Sequence, residues 1–106
     1  IRPDIVIEDN EGEQFVIDTK WKIVKSNDPS DNDLKQMFTY NLYWKAEKSL
    51  LLYPKINQED SEFGNYKFIH LEDKGNQCKL GFVSIIENDS LRNNNSIAKE
   101  IFGKLT

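Results

Sequence analysis

The sequence predicts one α/β domain of the α+β kind, a mixed β-sheet that opens with a β-hairpin and is flanked by helices. Three stretches carry that prediction. Phe15-Val16-Ile17-Asp18-Thr19-Lys20-Trp21-Lys22 is built from β-formers and reads as a strand. Asp33 to Glu47 repeats its apolar residues at helical spacing. Ser49-Leu50-Leu51-Leu52-Tyr53-Pro54 is a short unbroken apolar run closed by proline, the pattern of a strand buried on both faces. A hairpin, a crossover helix and a buried strand make a mixed sheet. At 106 residues and 38% hydrophobic content, residues 1–106 have material for a single small core and show no internal boundary or repeat.

The first strand of the hairpin is Arg2-Pro3-Asp4-Ile5-Val6-Ile7-Glu8, and Asp9-Asn10-Glu11-Gly12 supplies the turn. Antiparallel pairing sets Asp4, near the start of one strand, against Asp18, near the end of the other. Residues two apart share a strand face. Phe15, Ile17, Thr19 and Trp21 are expected to be the buried face, leaving Asp18, Lys20 and Lys22 on the other side with Val16. Two carboxylates placed together repel each other and raise one pKa unless a cation lies between them. An acid and an amine on one rigid strand can hold a divalent metal and steady a charged transition state.

Lys25 to Asp33 is polar and rich in turn formers, a loop that ends in a helix N-cap supplied by Ser30, Asp31 or Asp33. In the helix that follows, Leu34, Met37, Phe38 and Leu42 form the expected core stripe, which Asn41 interrupts. Gln36, Tyr40 and Tyr43 run along an adjoining face. Lys55 to Asn65 reads as loop. Tyr66 to Leu71 reads as a strand, Glu72 to Asn76 as a turn, and Gln77 to Ile86 as a strand paired with the previous one. Asn88 to Ser96 is a polar break. Ile97, Ile101, Phe102 and Leu105 give a last helix one apolar side with which to dock on the sheet.

The net charge of −4 is unlike that of a general nucleic-acid binder. Acids that hold a metal count as negative until the metal arrives, however, and Lys20, Lys22, Lys25, Lys35, Lys45 and Lys48 supply local positive charge. Cys78 is the one cysteine, so no internal disulfide forms, which fits a reducing cytoplasm; with no neighbouring His or second Cys it does not read as a nucleophile or zinc ligand. His70, the one histidine, lacks a partner at metal-ligand spacing and reads as structural or exposed. No apolar run is long enough to span a membrane, and no signal peptide is visible. The chain starts at Ile1, directly in a strand, so it is expected to be the C-terminal part of a longer protein.

Pro3-Asp4 followed by Asp18-Thr19-Lys20 resembles the PD-(D/E)xK pattern of restriction-endonuclease-like nucleases. The wider order of Arg2-Pro3-Asp4-Ile5-Val6-Ile7, Ile17 to Lys22, Asp33-Leu34-Lys35-Gln36-Met37-Phe38-Thr39-Tyr40 and Leu50-Leu51-Leu52-Tyr53-Pro54 resembles McrC-type nuclease subunits of McrBC methylcytosine-specific restriction systems. The resemblance covers the first half of the chain.

That resemblance implies Mg²⁺-dependent hydrolysis of phosphodiester bonds in double-stranded DNA, with Mn²⁺ as a substitute. It implies Asp4, Asp18 and the backbone carbonyl of Thr19 as metal ligands, and Lys20 as the residue that holds the attacking water or neutralises developing charge. Gln36 would hold a water or phosphate oxygen, and Lys22 and Tyr40 would touch DNA. It further implies an AAA+ GTPase partner of the McrB type, contacted through a segment before residue 1. GTP use belongs to that partner, because the chain has no G-x-x-x-x-G-K-[ST] loop. Many relatives carry a further acidic residue on a helix ahead of the first strand; the piece without it is expected either to bind metal weakly or to pack its open edge against a second copy as a dimer. Two alternatives stand beside this reading. One is a DNA-binding or assembly module of the same fold without cleavage, and the other is a nuclease of this fold in a resolvase or transposase.

Overall fold

The computed structural model describes residues 3–20, 22, 30–56, 59–66, 76–84, 86–87 and 90–105. Strands β1 (Ile5–Glu8), β2 (Gln14–Thr19), β3 (Lys48–Pro54), β4 (Gly64–Asn65) and β5 (Gln77–Val83) form a five-stranded sheet in the order β1-β2-β3-β5-β4. The inner strands β2, β3 and β5 are parallel; β1 and β4 run antiparallel at the two edges. Helix α1 (Asp31–Tyr43) joins β2 to β3, and helix α2 (Asn94–Gly103) follows β5. A small ribbon of β6 (Ile86–Glu87) and β7 (Ser90–Leu91) stands apart from the main sheet. This is the mixed sheet with flanking helices that the sequence predicts.

The hairpin is closed by local chemistry. Asp9 Oδ1 accepts from the N–H groups of Glu11 and Glu13, both at 2.9 Å, and Gly12 adopts φ 82°, a left-handed conformation that suits glycine. The pairing runs Ile5↔Ile17, Val6↔Val16, Ile7↔Phe15 and Glu8↔Gln14.

Strand β2 departs from the expected one-sided burial. Val16 and Ile17 both have no exposed surface, and Asp18 is 4% exposed. The reason is its place between β1 and β3, with a layer on each face. Val16 packs with Met37 and Tyr40 of α1, and with Leu51, Tyr53 and Phe82. Ile17 packs on the opposite face with Leu50, Leu52 and Leu105, where Phe15 and Ile101 also meet. A strand inside a parallel sheet covered by helices has no solvent face.

Helix α1 is rotated by about one position from the expected stripe. Met37, Tyr40 and Asn41 are buried, whereas Leu42 is 56% exposed. Asn41 lies on the buried line because it follows Met37 by four residues. Its amide closes the turn after the helix: Asn41 Nδ2 donates to Ala46 O (2.7 Å), and Asn41 O accepts from Ala46 N (3.0 Å). Between them Lys45 takes the left-handed φ of 53°. Asn41 Oδ1 accepts from Tyr66 OH (2.6 Å) and Ser49 Oγ (3.1 Å), so this buried polar group is satisfied. The helix therefore ends at Tyr43, short of the expected Glu47.

Other expectations shift in the second half. The segment read as loop contains the short strand β4, and β5 pairs with β3 and β4. Asp60 and Ser61 stand in for a longer edge strand, because Phe82 N donates to Asp60 Oδ1 (2.9 Å) and Leu80 N to Ser61 Oγ (2.8 Å). The expected strand 66–71 with His70 falls almost wholly outside the described residues, as do Arg2, Trp21 and 23–29. In the last helix Ile101 and Leu105 dock as expected, but Phe102 is 55% exposed. Leu105 lies beyond the helix end, so the docking uses the turn after α2. Among the described residues no helix is long and apolar enough to cross a membrane.

At Gly81 the side chains of β3 and of the residue after α2 crowd the β5 backbone. A Cβ there would sit 2.9 Å from Leu52 Cδ2, 3.0 Å from Leu50 Cδ1 and 3.2 Å from Lys104 Cδ. Both leucines are buried and have little room to yield. Gly81→Ala should lower the unfolding free energy by roughly 1–3 kcal/mol, read as a reduced midpoint in urea; an unchanged midpoint would show that the two layers are not tightly seated there.

Lys104 is buried and pairs with Asp60 (2.5 Å) and Glu100 (3.2 Å), while Arg92 holds Glu100 at 2.6 Å. Burial alone would raise both carboxyls, but these cations and the Phe82 amide outweigh it and hold them below their usual values. Their contribution is therefore present above the ordinary carboxylate range and is lost as pH falls through the folded-state values. Urea midpoints measured down the acid limb should fall less steeply in Asp60→Asn than in the unsubstituted protein; identical slopes would remove Asp60 from the acid response.

Candidate active site at the hairpin edge

The register that pairs Ile5 with Ile17 carries Asp4 to Asp18, and the side chains complete the alignment. Asp4 N donates to Asp18 Oδ1 (3.2 Å). Asp4 Oδ2 accepts from Thr19 N (2.8 Å) and Thr19 Oγ1 (2.5 Å). The two carboxylates are thus cross-linked through backbone groups, as the hairpin pattern predicts.

Their environments differ. Asp4 is exposed, and the Thr19 hydroxyl and amide hold its carboxyl below the ordinary value. Asp18 is buried, and desolvation pushes its carboxyl up even though Lys20 pulls the other way. One acid is readily ionised, and the other, kept from water beside it, gives up its proton less readily.

Lys20 follows the end of β2 and turns back onto Asp18, with Nζ 3.2 Å from Oδ2. The same Nζ donates to Gln36 Oε1 at 2.6 Å. Gln36 stands on the first half of α1, which the crossover lays over this face of the sheet, and its side chain is hydrogen-bonded to Tyr40. Burial and the Asp18 and Asp4 carboxylates hold the Tyr40 phenol above its usual pKa. Asp4, Asp18, Thr19, Lys20, Gln36 and Tyr40 therefore form one connected constellation. Gln36 is bound to the lysine, a link that residue spacing did not reveal. Tyr40 is almost wholly buried, with its ring in the core and its edge lining an open depression with Asn32, Asp33, Gln36, Thr39 and Tyr43.

Lys22 is engaged separately. Its Nζ lies 2.8 Å from Asp33 Oδ2, which also accepts from Tyr53 OH (2.9 Å). Asp33 N in turn donates to the N-cap Ser30 Oγ (3.1 Å). Asp33 was a cap candidate by sequence, and the structure makes it the anchor between the strand end and the helix. The visible signal was the Ser30-x-x-Asp33 spacing, which resembles a capping box.

The donor set suits a hard divalent cation. Asp4 Oδ2 takes the two Thr19 bonds, and Asp18 presents a second carboxyl within hydrogen-bond reach of Asp4 across the hairpin. Lys20 N donates to Leu52 O (2.8 Å), so the amide and carbonyl of Thr19, the next residue back, are directed to the β1 side. Among the described residues no group of three or more His, Cys, Asp or Glu side chains converges on one point. Two carboxylates and a carbonyl match Mg²⁺, which keeps several waters and takes few protein ligands.

Comparison with curated proteins and with solved structures gives no match. A family model does match, and it covers residues 1–54, the stretch that holds every member of the constellation. That is half of the chain, and the chain belongs to the family described as McrBC 5-methylcytosine restriction system component.

Proposed function

We propose that this domain is the DNA-cleaving part of its restriction system, a McrC-type subunit that hydrolyses phosphodiester bonds with Mg²⁺. The observation that supports this most is the pairing of a buried Asp18 with an exposed Asp4 across one hairpin, with Lys20 beside Asp18. Membership of the McrBC family favours a restriction setting over a resolvase or transposase.

In this reading Asp4, Asp18 and the Thr19 carbonyl hold the ion. When bound, Mg²⁺ supplies Lewis acidity toward the phosphoryl group and makes water easier to deprotonate. The chain's own residues do the rest. Lys20 neutralises charge that grows on the phosphate oxygens, or holds the attacking water by hydrogen bonding. Gln36 positions the Lys20 ammonium by accepting one of its protons, and Tyr40 backs Gln36. Lys22, half exposed beside Asp33, and Tyr40 at the lining of the depression are the DNA contacts of this reading. GTP hydrolysis and recognition of the modified base are assigned to an AAA+ partner of the McrB type. An assembly module without cleavage is the second reading, favoured by the presence of only two converging carboxylates among the described residues.

Titrating the longest native chain calorimetrically with Mn²⁺, alone and as Asp18→Asn, should give saturable binding that the substitution removes. Binding that survives Asp18→Asn would take the metal away from this pair. In the assembled restriction complex, Asp18→Asn and Lys20→Ala should each slow DNA cleavage by at least about 100-fold, with Mn²⁺ binding retained only in Lys20→Ala. Near-normal cutting by either variant would remove that residue from the mechanism, and an unsubstituted complex that binds Mn²⁺ yet never cuts would favour the assembly module.

A further inference from the structure

Helix α1 ends in an aromatic ring that the core does not use. Tyr43, its last residue, is 76% exposed, so the ring keeps a face open to solvent. The ring is nevertheless held. Trp44 meets it edge to face, with centroids 5.5 Å apart and planes at 72°, and Trp44 packs against the core. Tyr43 also lines the depression that Gln36 and Tyr40 line, a space of about 620 Å³. Gln36 accepts from Lys20, so this space is continuous with the constellation. From Gln36 to Tyr43 is seven residues of helix, about 10 Å along its axis. That is about three nucleotides of a stacked DNA strand, and fewer of an extended one.

The lining suits a nucleotide. Asn32, Gln36 and Thr39 offer uncharged groups that can hydrogen-bond a base edge or a sugar. The acid of the lining, Asp33, is paired with Lys22 at 2.8 Å, which offsets its repulsion of phosphate. Lys35 is exposed one turn before Thr39, whose hydroxyl donates to the Lys35 carbonyl at 3.0 Å. The chain as a whole carries −4, which weakens any general electrostatic hold on DNA. Stacking on a ring needs no net charge and accepts every base, because every base has a π-face. A base inside a duplex already has its faces covered by its neighbours. A base must leave that stack to use Tyr43.

We propose that the depression along α1 takes an unpaired nucleotide of the DNA strand whose phosphate lies at Lys20, and that its base stacks on Tyr43. The inference rests on the reading of this domain as a DNA-acting subunit. It adds the form of strand held there, which is single-stranded or locally opened.

The probe is a single-stranded oligonucleotide carrying the fluorescent adenine analogue aminopurine, which dims when it stacks. It is titrated into the longest native chain without divalent metal, so that binding is read apart from cleavage. The unsubstituted chain should bind saturably and quench the probe. Tyr43→Ala should bind about tenfold more weakly and lose the quench, whereas Tyr43→Trp should keep both. The dependence of affinity on salt should be unchanged in Tyr43→Ala, while Lys35→Ala should reduce the slope by about one. Binding of duplex but not of the single strand, or equal affinity and quench in Tyr43→Ala, overturns the proposal. So does a Tyr43→Ala chain that holds the oligonucleotide normally but no longer assembles with its restriction partner, which would make this face a protein contact. The cleavage reading fails separately: a quench lost in Tyr43→Ala, in a complex that never cuts DNA, upholds the stacking site and removes the nuclease.

Discussion

Val16 and Ile17 are adjacent on one strand, point to opposite faces, and are both sealed from water. Covering both is the constraint to which the rest of the domain answers. One face requires α1, which brings Met37 and Tyr40; the other requires the chain end after β5, which brings Ile101 and Leu105. Because β2 has a neighbour on each edge as well, its register is held by β1 on one side and β3 on the other. A slip of one residue would exchange the two cores and move Asp18 to the wrong face. The position of the acidic pair is therefore set by apolar packing several residues away from it.

The same burial explains the electrostatics. Asp18 continues the Val16 face one step beyond the apolar core, so it loses water without losing Lys20. Asp4 lies in the bend just before the edge strand, exposed, and keeps its water. A pair of acids in equal surroundings would compete for ionisation; these two are separated by depth. Lys20 is restrained twice, by Asp18 and by Gln36, and so a long flexible amine is held in one place at a modest entropic cost.

Much of this could be read from residue order. The hairpin was legible because Asp9 and Gly12 leave few other turns, and once it is drawn Asp4 must meet Asp18. The apolar run at Leu50 to Tyr53 identified an inner strand. The failures share a cause: periodicity does not report how many layers a residue will meet. The pattern puts Val16 on an open face because Asp18 and Lys20 are charged, although a helix covers it. Asn41 looks like a break in the stripe because it is polar, yet it is buried and bonded to groups distant in sequence, Tyr66 among them. The bond from Lys20 to Gln36 leaves no mark in residue spacing because the lysine arrives from another element. In the second half, Asp60 and Ser61 use side chains to satisfy the edge of β5, a bond pattern with no signature in hydrophobic spacing.

One carboxylate, Asp33, receives Lys22 from the end of the second strand, Tyr53 from the third, and through its own amide the cap residue Ser30. Lys22 and Ser30 are the two ends of the connection from β2 to α1. With both tied to the same anchor, a residue just after the acidic strand and the residue that opens the helix share one fixed point, so Lys20 and Gln36 approach each other from elements that cannot drift apart independently.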